Sequence, residues 1–103
     1  MSSYNGWTNY ETWNVKLWLD NDHGSYLYWR ERSEERYEEG KEAEDMDSAT
    51  YELANELQAF HEENVPEVLG TYADLLGAAL SEVNWHEIAE SLMGDAKEND
   101  SNV

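Results

Sequence analysis

Apolar positions set out five helical segments along this chain. Tyr10, Trp13 and Leu17 fall at i, i+3 and i+7, and Trp18 widens the stripe. Thr8 stands where an N-cap belongs, and Glu11 three residues on completes a capping box. The turn-rich run Asp20-Asn21-Asp22-His23-Gly24 should end this first helix. Ser25 or Asp22 can cap a second, whose apolar face (Tyr26, Trp29, Ser33, Tyr37) is narrow enough to place it on the rim of the domain. Gly40 is its expected C′ residue. Residues 41–47 then read as an acidic connector, with Asp47 or Ser48 as the next cap.

The third segment carries Leu53, Leu57 and Phe60 on one side with Ala54 beside them. Asn64-Val65-Pro66 breaks it, and Pro66 suits the first turn of a fourth helix. Val68, Leu69, Tyr72, Leu75, Leu76, Ala79, Leu80 and Val83 give that helix the most regular 3.6-residue pattern in the chain. Gly70, Ala73 and Gly77 form a small-residue stripe, which predicts close approach of another backbone, the aromatic first helix being the expected one. Asn84 and Glu87 start a short last helix with Trp85, Ile88, Ala89, Leu92 and Met93 inside, stopped by Gly94.

The predicted fold is all-α: a compact bundle of about five helices with an aromatic-rich N-terminal helix, joined by short connections. It should occupy residues 1–94 as one domain, leaving 95–103 as a disordered acidic tail. A turn is expected at Asn5-Gly6. The stretch from Tyr4 to Leu19 holds three of the five tryptophans and is expected to supply much of the core.

Composition changes this picture through charge. Among 103 residues, 24 acids face 6 bases, a formal net charge of −18. Such a surface repels nucleic acid and anionic membranes and suits a basic partner or a salt-loaded cell. The chain has no cysteine, which excludes disulfides and thiolate metal sites. Its first residues lack a basic and apolar leader, and no run approaches a membrane span, so a cytoplasmic protein of the host cell is expected.

The run Gly6-Trp7-Thr8-Asn9-Tyr10-Glu11-Thr12-Trp13-Asn14-Val15, followed by Leu17-Trp18-Leu19-Asp20-Asn21, resembles the opening signature of a family of small uncharacterised proteins found in phages, plasmids and some bacterial and archaeal genomes. Asn84-Trp85-His86-Glu87-Ile88-Ala89 is similar to a tail seen in some members. The resemblance carries no functional residue. It implies a mobile-element setting, in which interference with a host machine is the expected role.

Candidate chemistry is sparse. His61-Glu62-Glu63 and His86-Glu87 with Glu90 each lack the second histidine of a zinc helix, and Asp20-x-Asp22-x-Gly24 beside His23 has the wrong register for a calcium loop. Capped helix ends and exposed acids account for these residues, so neither metal nor cofactor is expected. The rings of Tyr4, Trp7, Tyr10, Trp13, Trp18, Tyr26, Tyr28 and Trp29 could stack on bases, but the net charge favours core packing or a protein interface. No serine sits in a nucleophile elbow and no glycine loop follows a strand, so no enzyme is expected.

The acids carry the leading expectation. Glu34, Glu35, Glu38, Glu39, Glu42, Glu44, Asp45 and Asp47 crowd one segment, with Glu52, Glu56, Glu62 and Glu63 as a second face. If the helix ran on through Glu42, five carboxylates would repeat about every 3 Å, close to the ~3.4 Å phosphate spacing of one DNA strand. Arg36 and Lys41 dilute that field. The expected function is therefore a non-enzymatic inhibitor, of anti-CRISPR or anti-restriction type, that imitates nucleic-acid phosphates on a basic host protein, as a monomer or a homodimer. The alternatives are a halophile accessory domain, acidic for solubility, or an adaptor that binds through exposed aromatics.

Overall fold

A computed structural model describes residues 4–101: α1 (Tyr10–Asn21), α2 (His23–Ala43), α3 (Met46–Glu63), α4 (Thr71–Ser81) and α5 (Trp85–Ser101), with no strand among the described residues. The chain is the expected all-α bundle. Asn5 and Gly6 both take positive φ, and Tyr4 and Trp7 exchange two backbone hydrogen bonds of 2.8 Å across them, a tight two-residue turn.

The core lies where α2, α3 and α5 meet, and α1 covers α2 and α5. Leu53, Leu57, Ile88 and Ala89 are fully buried, with Trp29, Leu92, Met93 and Ala96 around them. The aromatic N-terminal stretch contributes less than expected. Trp18 is 66 % exposed, Tyr10 is exposed, and Trp7 and Val15 only lean on the core.

α2 is central, not on the rim. Its ring at Trp29 and its Ser33 are buried, and it packs on three other helices. Asp22 is the sole residue between α1 and α2, and its side chain accepts from the Ser25 N–H. Gly40 does not end α2. It lies inside the helix because a Cβ there would come within 3.0 Å of the Ala49 Cβ and 3.3 Å of the Met46 Cα, so glycine lets α3 approach. The helix instead closes at Ala43, with Glu44 left-handed (φ 53°); Asp45 N–H donates to Gly40 O at 2.9 Å and Glu44 N–H to Lys41 O at 3.2 Å. The expected connector over 41–47 therefore shrinks to Glu44 and Asp45, and Asp45, not Asp47 or Ser48, caps α3.

At the C-terminus, the helix expected to stop at Gly94 continues to Ser101. Residues 95–101 are thus helical, against the expected disordered tail; Asn102 and Val103 lie outside the described residues. Tertiary contacts outweigh the ~1 kcal/mol helical cost of Gly94: Ala96 is buried, Asn99 Nδ2 donates to Glu34, and Lys41 Nζ lies 2.9 Å from Asp100.

The fourth segment departs furthest from expectation. Pro66 lies in a non-helical stretch, and α4 begins after Gly70. No residue of α4 is buried, and α4 packs on no other helix to the extent the others pack together. Gly77 has no atom near enough to meet an added Cβ, so the small-residue stripe receives no backbone from this chain.

Candidate partner-binding surface

The two stretches that carry the family resemblance meet in space. Asn9, not Thr8, caps α1, its side chain accepting from the Thr12 N–H at 2.9 Å and the Thr12 hydroxyl at 2.6 Å. That hydroxyl, fully buried, in turn accepts from the Asn84 N–H at 2.8 Å. Asn9 Nδ2 donates to Glu82 O at 2.7 Å, and Thr8 N–H donates to Glu87 Oε1 at 3.0 Å. Asn84 meanwhile accepts from Glu87 N–H at 3.0 Å, the expected capping of α5. Thr8, Asn9 and Thr12 therefore latch the start of α1 onto the start of α5.

The acids sort into paired and open groups. Arg32 grips Glu56 with Nε and Nη2 at 2.9 and 3.0 Å and also pairs with Glu35. Arg36 Nε reaches the same Glu56 at 2.6 Å, while its Nη1 holds Glu52 at 2.8 Å and Glu39 at 3.0 Å. Arg30 pairs with Glu34 and Lys41 with Glu38. Six of the twelve candidate acids thus face arginine or lysine, and the ladder from Glu34 to Glu42 is neutralised along most of its length. Glu52 and Glu56 belong to this network, whereas Glu62, which accepts from Gln58, and Glu63 sit at the far end of α3; the four do not form one face.

What stays open is the α2–α3 corner. Glu42, Glu44 and Asp47 are exposed and have no ion-pair partner among the described residues. Asp45 beside them accepts from Ser48, which holds its carboxyl below the ordinary range. The i, i+3 and i, i+4 pairs on α2 were legible from spacing alone. The cross-helix grip on Glu56 was not, since it spans 20 and 24 residues.

Burial pushes the Glu56 carboxyl up, but the hydrogen bonds from Arg32 and then Arg36 outweigh it, so its acidity is net increased. A carboxyl lowered in the folded state stabilises above its unfolded pKa, and that contribution disappears as pH falls through the folded value. Glu56→Gln is expected to cost about 1–2 kcal/mol near neutrality, between an exposed pair and a fully buried one. In melting curves against pH, the gap between the two proteins should close below the carboxylate range, where Glu56 is itself neutral.

His61 and His86 pack against aromatic rings. His61 Nδ1–H donates to Leu57 O at 2.7 Å and its ring lies 5.0 Å from Trp85; His86 lies 4.5 Å from the Tyr51 ring. Among the described residues no three metal-binding side chains converge. No helix among them is long and apolar enough to cross a membrane.

A second surface lies on the fourth segment, whose apolar stripe the structure leaves largely open. Leu69, Tyr72 and Leu75 are 81, 73 and 62 % exposed. Beside them Val65, Pro66, Val68, Ala73, Leu76, Gly77 and Leu80 line an open cleft of about 300 Å³, with Glu62 and Glu67 at its edge.

The model of a family of unknown function (DUF7249) matches residues 1–99. No curated protein and no solved structure matches the chain.

Proposed function

We propose that this chain, which belongs to the DUF7249 family of unknown function, acts without catalysis as an acidic ligand for the cationic, nucleic-acid-binding surface of another protein. Its carboxylates take the places of phosphates there and block the channel. A host defence or DNA-processing protein, met by a mobile element, is the target this reading implies.

The observation that carries it is the segregation of charge. Four of the six bases (Arg30, Arg32, Arg36, Lys41) sit on α2, each paired to a carboxylate. Removing the six acids of α2 (Glu31, Glu34, Glu35, Glu38, Glu39, Glu42) from 24 leaves 18 acids elsewhere, against only Lys16 and Lys97. Lys16 is itself buried against Asp20. Outside α2 acids outnumber bases 18 to 2, and an excess of this size speeds encounter with a basic surface and weakens with salt.

The corner adds position to charge. Left-handed backbone costs a non-glycine residue roughly 1–2 kcal/mol, yet Glu44 occupies that site where glycine is usual. Glu44 keeps a carboxylate at the tip, between Glu42 on α2 and Asp47 on α3.

Immobilised chain offered a host lysate at low salt is expected to retain DNA- or RNA-binding proteins and release them as salt rises. Substituting Glu42→Gln, Glu44→Gln and Asp47→Asn together should weaken retention about tenfold, a loss of ~1.4 kcal/mol. Added duplex DNA should compete. Retention of no nucleic-acid-binding protein overturns the reading.

A further inference from the structure

We infer that α4 and the preceding linker form a docking groove for a segment of another protein that is apolar on one side and cationic on its flanks. α4 acts in this way whether or not the corner carboxylates replace phosphates.

Three observations point there. First, α4 holds one charged residue, Asp74, in a chain that is 29 % charged. Two of its four large apolar side chains, Tyr72 and Leu75, nonetheless face water, one turn apart, with Leu69 just ahead of them, while Leu76 and Leu80 are half-buried. Isolated exposed leucines are ordinary, but a contiguous apolar face on an amphipathic helix marks an interaction surface. Second, the cleft beside it is floored by Gly77, whose would-be Cβ meets nothing in this chain. A mid-helix glycine weakens the helix, and here no intramolecular contact is gained in return. It leaves room for a backbone or a bulky side chain arriving from outside. Third, the cleft's edge is acidic: Glu62 and Glu67 line it, and Glu63 follows Glu62 at the end of α3.

Charge decides the occupant. A second copy would bring another −18 and set its own Glu62 and Glu67 against this rim. The chain's own core takes Leu80 from α4 and leaves Leu69, Tyr72 and Leu75 exposed. An anionic bilayer is repelled. A helix or strand that inserts apolar anchors into the cleft and sets lysine or arginine against the glutamates satisfies both features, the helix-in-groove mode being one such arrangement.

The probe is a synthetic helical peptide with leucine on one face and lysine on the other, compared by fluorescence anisotropy with a lysine-only peptide of equal charge and a leucine–glutamate counterpart. The leucine–lysine peptide is expected to bind at least tenfold tighter than the lysine-only one, and the acidic peptide not at all. Tyr72→Glu with Leu75→Glu, and separately Gly77→Leu, which fills the cleft without adding charge, should each weaken it at least tenfold and leave the melting temperature unchanged. The Glu42, Glu44, Asp47 triple variant should change it less than threefold, which separates failure here from failure of phosphate imitation. The inference is overturned by equal binding of the two cationic peptides or by indifference to the α4 substitutions. A melting temperature lowered by Tyr72→Glu would also overturn it, since α4 would then pack on its own chain, as would a dimer in sedimentation at high salt that Leu75→Glu abolishes.

Discussion

Replacing Trp29 by alanine is expected to destabilise the protein by about 3–5 kcal/mol. A chain of 103 residues commands only ~5–15 kcal/mol in all, so the variant should lie at the edge of folding. Trp29 is 2 % exposed, on the helix that touches all three other packed helices. Its ring meets Phe60 edge-on at 5.5 Å, Tyr28 edge-on at 5.0 Å, and the stacked His61 at 6.4 Å. Truncation removes transfer free energy and leaves a cavity that two helices cannot close without moving. Thermal melts should shift down by at least ~12 °C, at ~4 °C or more per kcal/mol for a domain of this size. Trp18→Ala is the control. At 66 % exposure it should stay within about 0.5 kcal/mol of the parent. Equal losses for the two tryptophans would mean that the N-terminal aromatics carry the core after all.

Thr12→Val should cost about 2–3 kcal/mol, the upper part of the range for a buried hydrogen-bonding group left alone. Valine keeps the shape of this fully buried side chain but accepts nothing, so the Asn84 N–H loses its partner at 2.8 Å and Asn9 loses a donor. The start of α5 should then loosen from the start of α1. Thr12→Ser restores the hydroxyl and removes a methyl, at about 1 kcal/mol. Amide exchange separates the two: the Asn84 N–H should exchange faster in the valine variant and near the parental rate in the serine one. Serine costing as much as valine would show that packing, not the latch, holds this corner.

Much of the helical layout could be read along the chain. The Leu53–Leu57 and Ile88–Leu92 spacings do bury their faces, Asp22 does cap α2, and Asn84 with Glu87 does open α5. Failures cluster where long-range contact overrides local preference. Gly40 and Gly94 look like helix ends because isolated glycine weakens a helix, yet neighbours in space hold both inside one. Local stops are worth about 1 kcal/mol, and a buried Ala96 or a snug Gly40–Ala49 contact outweighs them. The acidic ladder was legible as composition. So was its pairing at i, i+3 and i, i+4 within α2; the cross-helix grip on Glu56 was not, because Arg32 and Arg36 find it only once α2 and α3 lie antiparallel.

By itself the sequence determined the all-α class, the starts of α2 and α5 and the sign and size of the charge, since each depends on residues within a turn or two or on a plain sum. Tertiary structure alone decided which faces meet. Periodicity marks an apolar stripe identically whether the chain covers it, as on α3, or leaves it open, as on α4. The Glu52 and Glu56 carboxylates are likewise paired by arginines that folding brings from 16 to 24 residues away. Burial and pairing are properties of two surfaces at once, and a one-dimensional pattern specifies only one of them.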